Sequence, residues 1–306
     1  MTSMSLLKKR KTLNKKLAGY LSLLGSAICF YLATLFLHLG EQVQHGNAFI
    51  FVLARLFLGL IIVALLIFLT RGVSFRAQNR FWVLSRAFWN TVALLFFYTS
   101  VALGAITEAN IFNMTYPVFV ALLGPYLIKE KNTFMQNVSV LVATIGVYLI
   151  IGFPAISFGF TVNSIGLLSG LTAAIAILSL RKARATDHWL TILFYNFSLG
   201  SLAVLLLSIQ AGQINISQEI LPYLLMSALC GIIGQFGLTF GFRYVSAIEG
   251  SVLSSSRIII SVMATSLLGF QGLTVQALFG AVLIFIANIL AVKRIEIPLD
   301  STRLTS

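Results

Sequence analysis

Ten apolar stretches follow one another along this chain, and the connections between them are too short to hold a domain of their own. They run roughly over 17–39, 47–70, 81–103, 107–128, 134–152, 161–181, 188–209, 219–242, 246–268 and 274–292. Each comes close to the length of about 20 mostly apolar residues that crosses a bilayer as an α-helix. Composition agrees: 58% of the 306 residues are apolar and 9% are charged, against about 45–50% and 25% in a soluble domain. A soluble enzyme, a disordered chain and a disulfide-stapled module are excluded. The chain reads as an all-α, multi-pass membrane protein whose solvent is the lipid bilayer.

The basic residues say which way the spans run, because cytoplasmic connections carry the excess of Lys and Arg. With the N-terminus inside, the inner segments hold Lys8, Lys9, Arg10, Lys11, Lys15 and Lys16, then Arg71, Arg76 and Arg80, and Lys129 and Lys131. They continue with Arg181, Lys182 and Arg184, Arg243, and finally Lys293, Arg294 and Arg303. These are 18 of the 21 basic residues, and the outer connections hold none. Both termini are therefore expected in the cytoplasm, across the inner membrane if the source is bacterial. The net charge of +13 is then a consequence of topology, and no nucleic-acid partner is implied. The first stretch is too long for a signal-peptide core and is followed by no small-residue cleavage site, so it reads as a retained helix. Cys29 and Cys230 both fall inside apolar stretches and are read as packing residues.

The chain also matches itself. At a shift of 141 residues Glu108 falls on Glu249, Asn110 on Ser251, Asn113 on Ser254 and Thr133 on Thr274; at a shift of 147, Gly19 and Ser22 fall on Gly166 and Ser169. The organisation that follows is a basic N-terminal segment (1–16), a first five-helix repeat (17–152), an outer connection (153–160), a second five-helix repeat (161–292) and a C-terminal tail (293–306). Five spans is an odd number, so the second copy is inserted upside down. Inverted repeats mark alternating-access carriers, with substrate held near the midplane at the repeat interface.

Polar residues inside the spans are the candidate site. The three basic residues outside the connections are Arg55, Arg86 and Arg257, and ionisable groups at such depth are costly and point to function by default. The competing reading has each guanidinium clamping a neighbouring helix's carbonyls, or, for Arg86, snorkelling to the cytoplasmic surface. Asn90 shares a face with Arg86. In the fourth span Asn110, Asn113 and Pro117 share a face, beside Tyr116, and the ninth span carries Ser251, Ser254 and Ser255. The spans offer few acids, so at least one of Arg55 and Arg257 is expected to meet a carboxylate or phosphate of the substrate, helped by the guanidinium fork. Glu108 and Glu249 stand at opposite surfaces. They are candidates for energy coupling, or else simple caps of helix N-termini. Glycines 231, 234, 237 and 241, and 166 with 170, are assigned to close helix packing.

Three stretches carry a family likeness: Phe51–Leu58 with its Arg55; Ser85–Asn90 followed by Phe97–Leu103; and Glu108–Asn110 through Tyr116–Leu123 to Lys129-Glu130-Lys131. The chain resembles the drug/metabolite transporter superfamily, in particular its EamA-type members. The resemblance implies ten helices in two inverted copies and a small organic substrate that is amino-acid-like or nucleotide-derived, such as S-adenosylmethionine. The second copy departs from the pattern at Ile258, where a proline would match Pro117, and at Gln271, where an acid would match Glu130. A membrane enzyme is disfavoured: there is no His-Glu-x-x-His, and none of the three histidines is near a span centre. Nor is there a phosphate-cradling loop for ATP. The expectation is a secondary carrier, possessing no metal or cofactor and acting as a monomer; a channel or a non-transporting scaffold is the alternative.

Overall fold

The computed structural model describes residues 3–44, 48–103, 112–151, 160–210, 217–267 and 275–292. In hydrocarbon a backbone must satisfy its own hydrogen bonds, and an apolar run does so most simply as a helix. The described residues accordingly form eleven helices and one short 3-10 turn. These are α1 (Ser3–Val43), α2 (Ala48–Leu69), α3 (Arg80–Leu103), α4 (Tyr116–Leu127), α5 (Phe134–Ile151) and α6 (Phe160–Ala183). After them come α7 (Trp189–Gln210), α8 (Leu221–Gly241, led by the turn Gln218–Ile220), α9 (Ala247–Ser254), α10 (Ser256–Leu267) and α11 (Val275–Val292). α1 runs back through the basic N-terminal segment without a break.

Each helix of the first repeat packs on one of the second. α1 lies on α8 and α3 on α6, while α2 lies on α7, α4 on α9 and α5 on α11. The first span thus meets the third of the other copy, and the third meets the first; the second, fourth and fifth each meet their own counterpart. Such reciprocity is what a twofold axis imposes, and here it relates two inverted halves of one chain.

The read of a continuous ninth span, 246–268, is corrected: it is two helices, α9 and α10, separated at Ser255. The fourth span is interrupted at Met114–Thr115, immediately ahead of α4. At the 141-residue shift these two positions coincide, so the break belongs to the repeat. Its causes differ between copies. Pro117 sits in the first turn of α4 and has no N–H to give. Ile258 replaces that proline, and a serine run does the work in its stead. Ser254 Oγ donates to the Gly250 carbonyl at 2.8 Å and Ser255 Oγ to that of Ser251 at 3.3 Å, the back-bonding that weakens and bends helices.

Hydroxyls and glycines join α1 to α8. Ser22 Oγ donates to the Gly237 carbonyl at 2.8 Å, Ser26 Oγ to that of Gly234 at 2.6 Å, and Ser227 Oγ to that of Ala33 at 2.7 Å. A Cβ on Gly237 would stand 2.8 Å from the Ser22 carbonyl oxygen, so only glycine lets these backbones approach. At the two ends, connections cap helices across the axis. Asp187, between α6 and α7, accepts from the backbone N–H groups of Gln78 (2.6 Å) and Asn79 (3.1 Å), just ahead of α3. Gln44, between α1 and α2, accepts from Ser217 N at 3.2 Å, just ahead of the turn leading into α8.

Candidate functional site

Between the repeats lies a cavity of about 210 Å³. α1, α2 and α3 wall it from one copy and α6, α8 and α10 from the other, and both helix breaks border it through Asn113, Met114, Tyr116, Ser254 and Arg257. It extends from Arg86 and Gln235 toward the end opposite the basic connections, where Thr34 and Leu37 of α1 and Phe51 of α2 line it.

Of the residues singled out in the sequence, Arg55, Arg86, Asn90, Asn113, Tyr116, Ser254 and Arg257 line this cavity. Arg55 donates from Nη2 to Gln235 Oε1 at 3.3 Å, and its guanidinium carbon lies 5.1 Å above the Phe30 ring. Arg86 is 2% exposed. It does not snorkel, and it is near enough to Arg55 for the two charges to oppose each other. Arg257 approaches Met114 Sδ at 3.7 Å. Asn113 donates to Ser169 Oγ of α6 at 2.6 Å. The Tyr116 hydroxyl donates across the axis to the Ser251 carbonyl at 3.1 Å.

Two candidates stand behind the wall instead of in it. The Ser251 hydroxyl turns back to the Ile248 carbonyl at 2.9 Å. Glu249 is buried at the third position of α9, where it forms a reciprocal cap: its Oε2 accepts from Ser246 N at 2.9 Å, and its own N–H donates to Ser246 Oγ at 3.2 Å. Glu108 and Asn110 lie outside the described residues. Among the described residues no three His, Cys, Asp or Glu side chains gather as a metal site.

Sequence reading passed over Gln235, 3% exposed in α8. Its signal was available: a lone amide between Gly234 and Gly237, deep in an apolar span. Gly231 was read as a packing glycine, and its use is more specific. A Cβ there would stand 2.6 Å from Arg55 Cδ and 2.8 Å from Nε, so the missing side chain is the berth of the arginine.

The basic end is closed by polar contacts between the two copies. Glu130 Oε2 lies 3.7 Å from Arg181 Nε and accepts from Ala247 N at 3.5 Å, at the start of α9. Arg181 Nη1 donates to the Phe242 and Arg243 carbonyls, each at 3.2 Å, beyond the end of α8. Gln136 Nε2 reaches Ser246 Oγ at 3.2 Å. Arg184, 2% exposed, donates to the Thr239 carbonyl (3.0 Å) and to that of Asp187 (2.6 Å). Burial, reinforced by Arg243, holds its guanidinium down to about 10, so it remains charged at neutral pH.

The sequence profile of the EamA-like transporter family matches residues 17–152 and 161–293. Among solved structures, one crystallised protein with 16% sequence identity superposes with a TM-score of 0.74, over 91% of this chain and 96% of its own. At that identity the likeness is one of fold. No curated protein matches the chain.

Proposed function

The chain belongs to the EamA-like transporter family, and from that premise we propose that it is a secondary carrier moving a small organic metabolite by alternating access through the cavity between its repeats. The observation that carries this reading is the meeting of both broken helices at one polar cavity, since discontinuous helices at a repeat interface are where such carriers hold substrate. The polar contacts between the two copies at the basic end support it too. The basic end is shut by Glu130, Arg181, Gln136 and Ser246, while the cavity wall continues to Leu37 near the other end. Exchange of these arrangements between the two related halves would expose the site to each side in turn.

In this reading the protein is a monomer in the cytoplasmic membrane with both termini inside, and Arg55, Arg86, Asn90, Asn113, Tyr116, Ser254 and Arg257 contact the substrate. Asn110 and Ser251 complete the paired stripe. Family likeness suggests an amino-acid-like or nucleotide-derived metabolite, with S-adenosylmethionine among the candidates. Purified protein in liposomes, preloaded with a pool of unlabelled metabolites, tests the reading. Saturable counterflow of a labelled metabolite is expected. Ion conductance without counterflow would assign the protein to the channels instead.

A further inference from the structure

All three arginines that the sequence buries within spans converge on the same cavity: Arg55 from α2, Arg86 from α3 and Arg257 from α10. The described residues that line it include no Asp or Glu. α4 and α10 both begin at the cavity wall, with Tyr116 and Arg257 in their first turns.

Arg86 is the informative member. Arg184 provides a control of equal burial, each being 2% exposed. Arg184, outside the cavity, gives its hydrogen bonds to two backbone carbonyls. Arg86, among the described residues, gives none to any protein group, and it faces the cavity. A guanidinium at this depth needs acceptors, which Arg184 finds in the protein and Arg86 finds in what fills the cavity it lines. The acceptor that Arg86 is built for therefore comes from what enters the cavity.

Resting on the transporter reading above, we infer that the substrate is a small organic dianion, anchored by Arg86 and held between Arg55 and Arg257. Its two negative charges are carried by two carboxylates or by one phosphomonoester. Guanidinium forks bind either oxygen pair in bidentate fashion. The volume of about 210 Å³ has room for a small organic acid or phosphate. Phe30 and Phe97 supply apolar wall for the carbon skeleton. S-adenosylmethionine, a net cation, is disfavoured by the same three arginines.

The test is a thermal-shift panel on the purified full chain, paired with counterflow in liposomes. The probes are succinate and other short dicarboxylates, glycerol 3-phosphate as phosphomonoester, leucine as zwitterion and S-adenosylmethionine as cation. At least one dianion is expected to raise the melting temperature and to exchange saturably, and whichever of the dicarboxylate and phosphate arms responds identifies the anionic group. Protection by leucine or S-adenosylmethionine with none by any dianion overturns the inference and leaves the carrier reading standing. Absence of saturable counterflow with every probe defeats the carrier reading itself. Arg86→Gln is expected to weaken dianion protection by roughly tenfold to a hundredfold, with the melting temperature of the unliganded protein equal to or above that of the wild type. A lower unliganded melting temperature with dianion affinity intact marks Arg86 as structural and overturns its role as anchor. The wild-type panel decides the substrate class even if the variant fails to fold.

Discussion

Gly231 and Arg55 form a matched pair at the level of single residues. The guanidinium is held by Gln235 on one side and the Phe30 ring on another, and its stem occupies the space a side chain at 231 would need. Gly231→Ala is expected to displace Arg55 and not to unfold the protein, because the atoms in the way belong to a flexible side chain. Transport should fall by about tenfold, the size of one lost charge-assisted contact, while the melting temperature changes little. The readout is substrate affinity beside thermal stability. A drop in stability with affinity unchanged would show Gly231 to be ordinary packing. Glycine stripes are easy to see in a sequence, but which partner fills the vacated volume is not. At Gly237 it is a backbone carbonyl and at Gly231 an arginine, and the letters are the same.

Among the elements, α9 has both of its ends made by local chemistry. Ser246 and Glu249 close its N-terminus reciprocally, and the serine run ends it at Ser255. Ser246→Ala is expected to cost about 1 kcal/mol, the usual worth of such a cap, seen as a lower melting temperature. Glu249→Gln keeps an acceptor but loses the favourable charge at the helix N-terminus. It is expected to lower stability by a fraction of a kcal/mol and to leave the pH dependence of transport as in the wild type. A flattened pH profile in Glu249→Gln would instead make this carboxylate part of the coupling machinery. The two interrupted spans teach a related lesson. Pro117 announces its break openly, whereas the equivalent break at Ser255 has no proline, and serines in an apolar run are equally compatible with a straight helix. The interruption became visible only with the backbone.

At the scale of the molecule, the reciprocal pairing of α1 with α8 and α3 with α6 fits a twofold relation between the halves, and the odd number of five spans per half makes that relation an inversion, with the basic connections at one end. Single cysteines introduced in a background lacking Cys29 and Cys230 check this directly. Val43→Cys and Ile214→Cys are expected to react with an impermeant thiol reagent from outside the cell, and Arg76→Cys and Lys131→Cys only after permeabilisation. Labelling in the opposite sense would reverse the orientation, and mixed labelling within either set would break the ten-span count. The inter-repeat contacts at the basic end, from Glu130 through Arg181 to the carbonyls of Phe242 and Arg243, are the ones that would separate if the site opened toward the cytoplasm.

The number of spans, the inverted duplication and the three deep arginines were legible in the amino-acid sequence alone, and the same sequence predicts the direction of the spans. Hydropathy and the placement of Lys and Arg act on each segment as it enters the bilayer, one at a time and in order, so a one-dimensional pattern suffices to specify them. Rotation of each helix about its own axis was not legible. In a soluble protein an apolar stripe tells which face turns inward, but these helices are apolar nearly all round, and lipid is as good a neighbour for Leu as another helix is. Tertiary structure therefore decided that Arg55, Arg86 and Arg257 meet in one cavity, that Gln235 joins them, that Ser251 and Glu249 stand behind the wall, and that Asp187 caps a helix more than a hundred residues away. Each of those outcomes depends on close packing of small residues and on polar groups finding partners across helices, which are properties of pairs of segments and are written in neither segment alone.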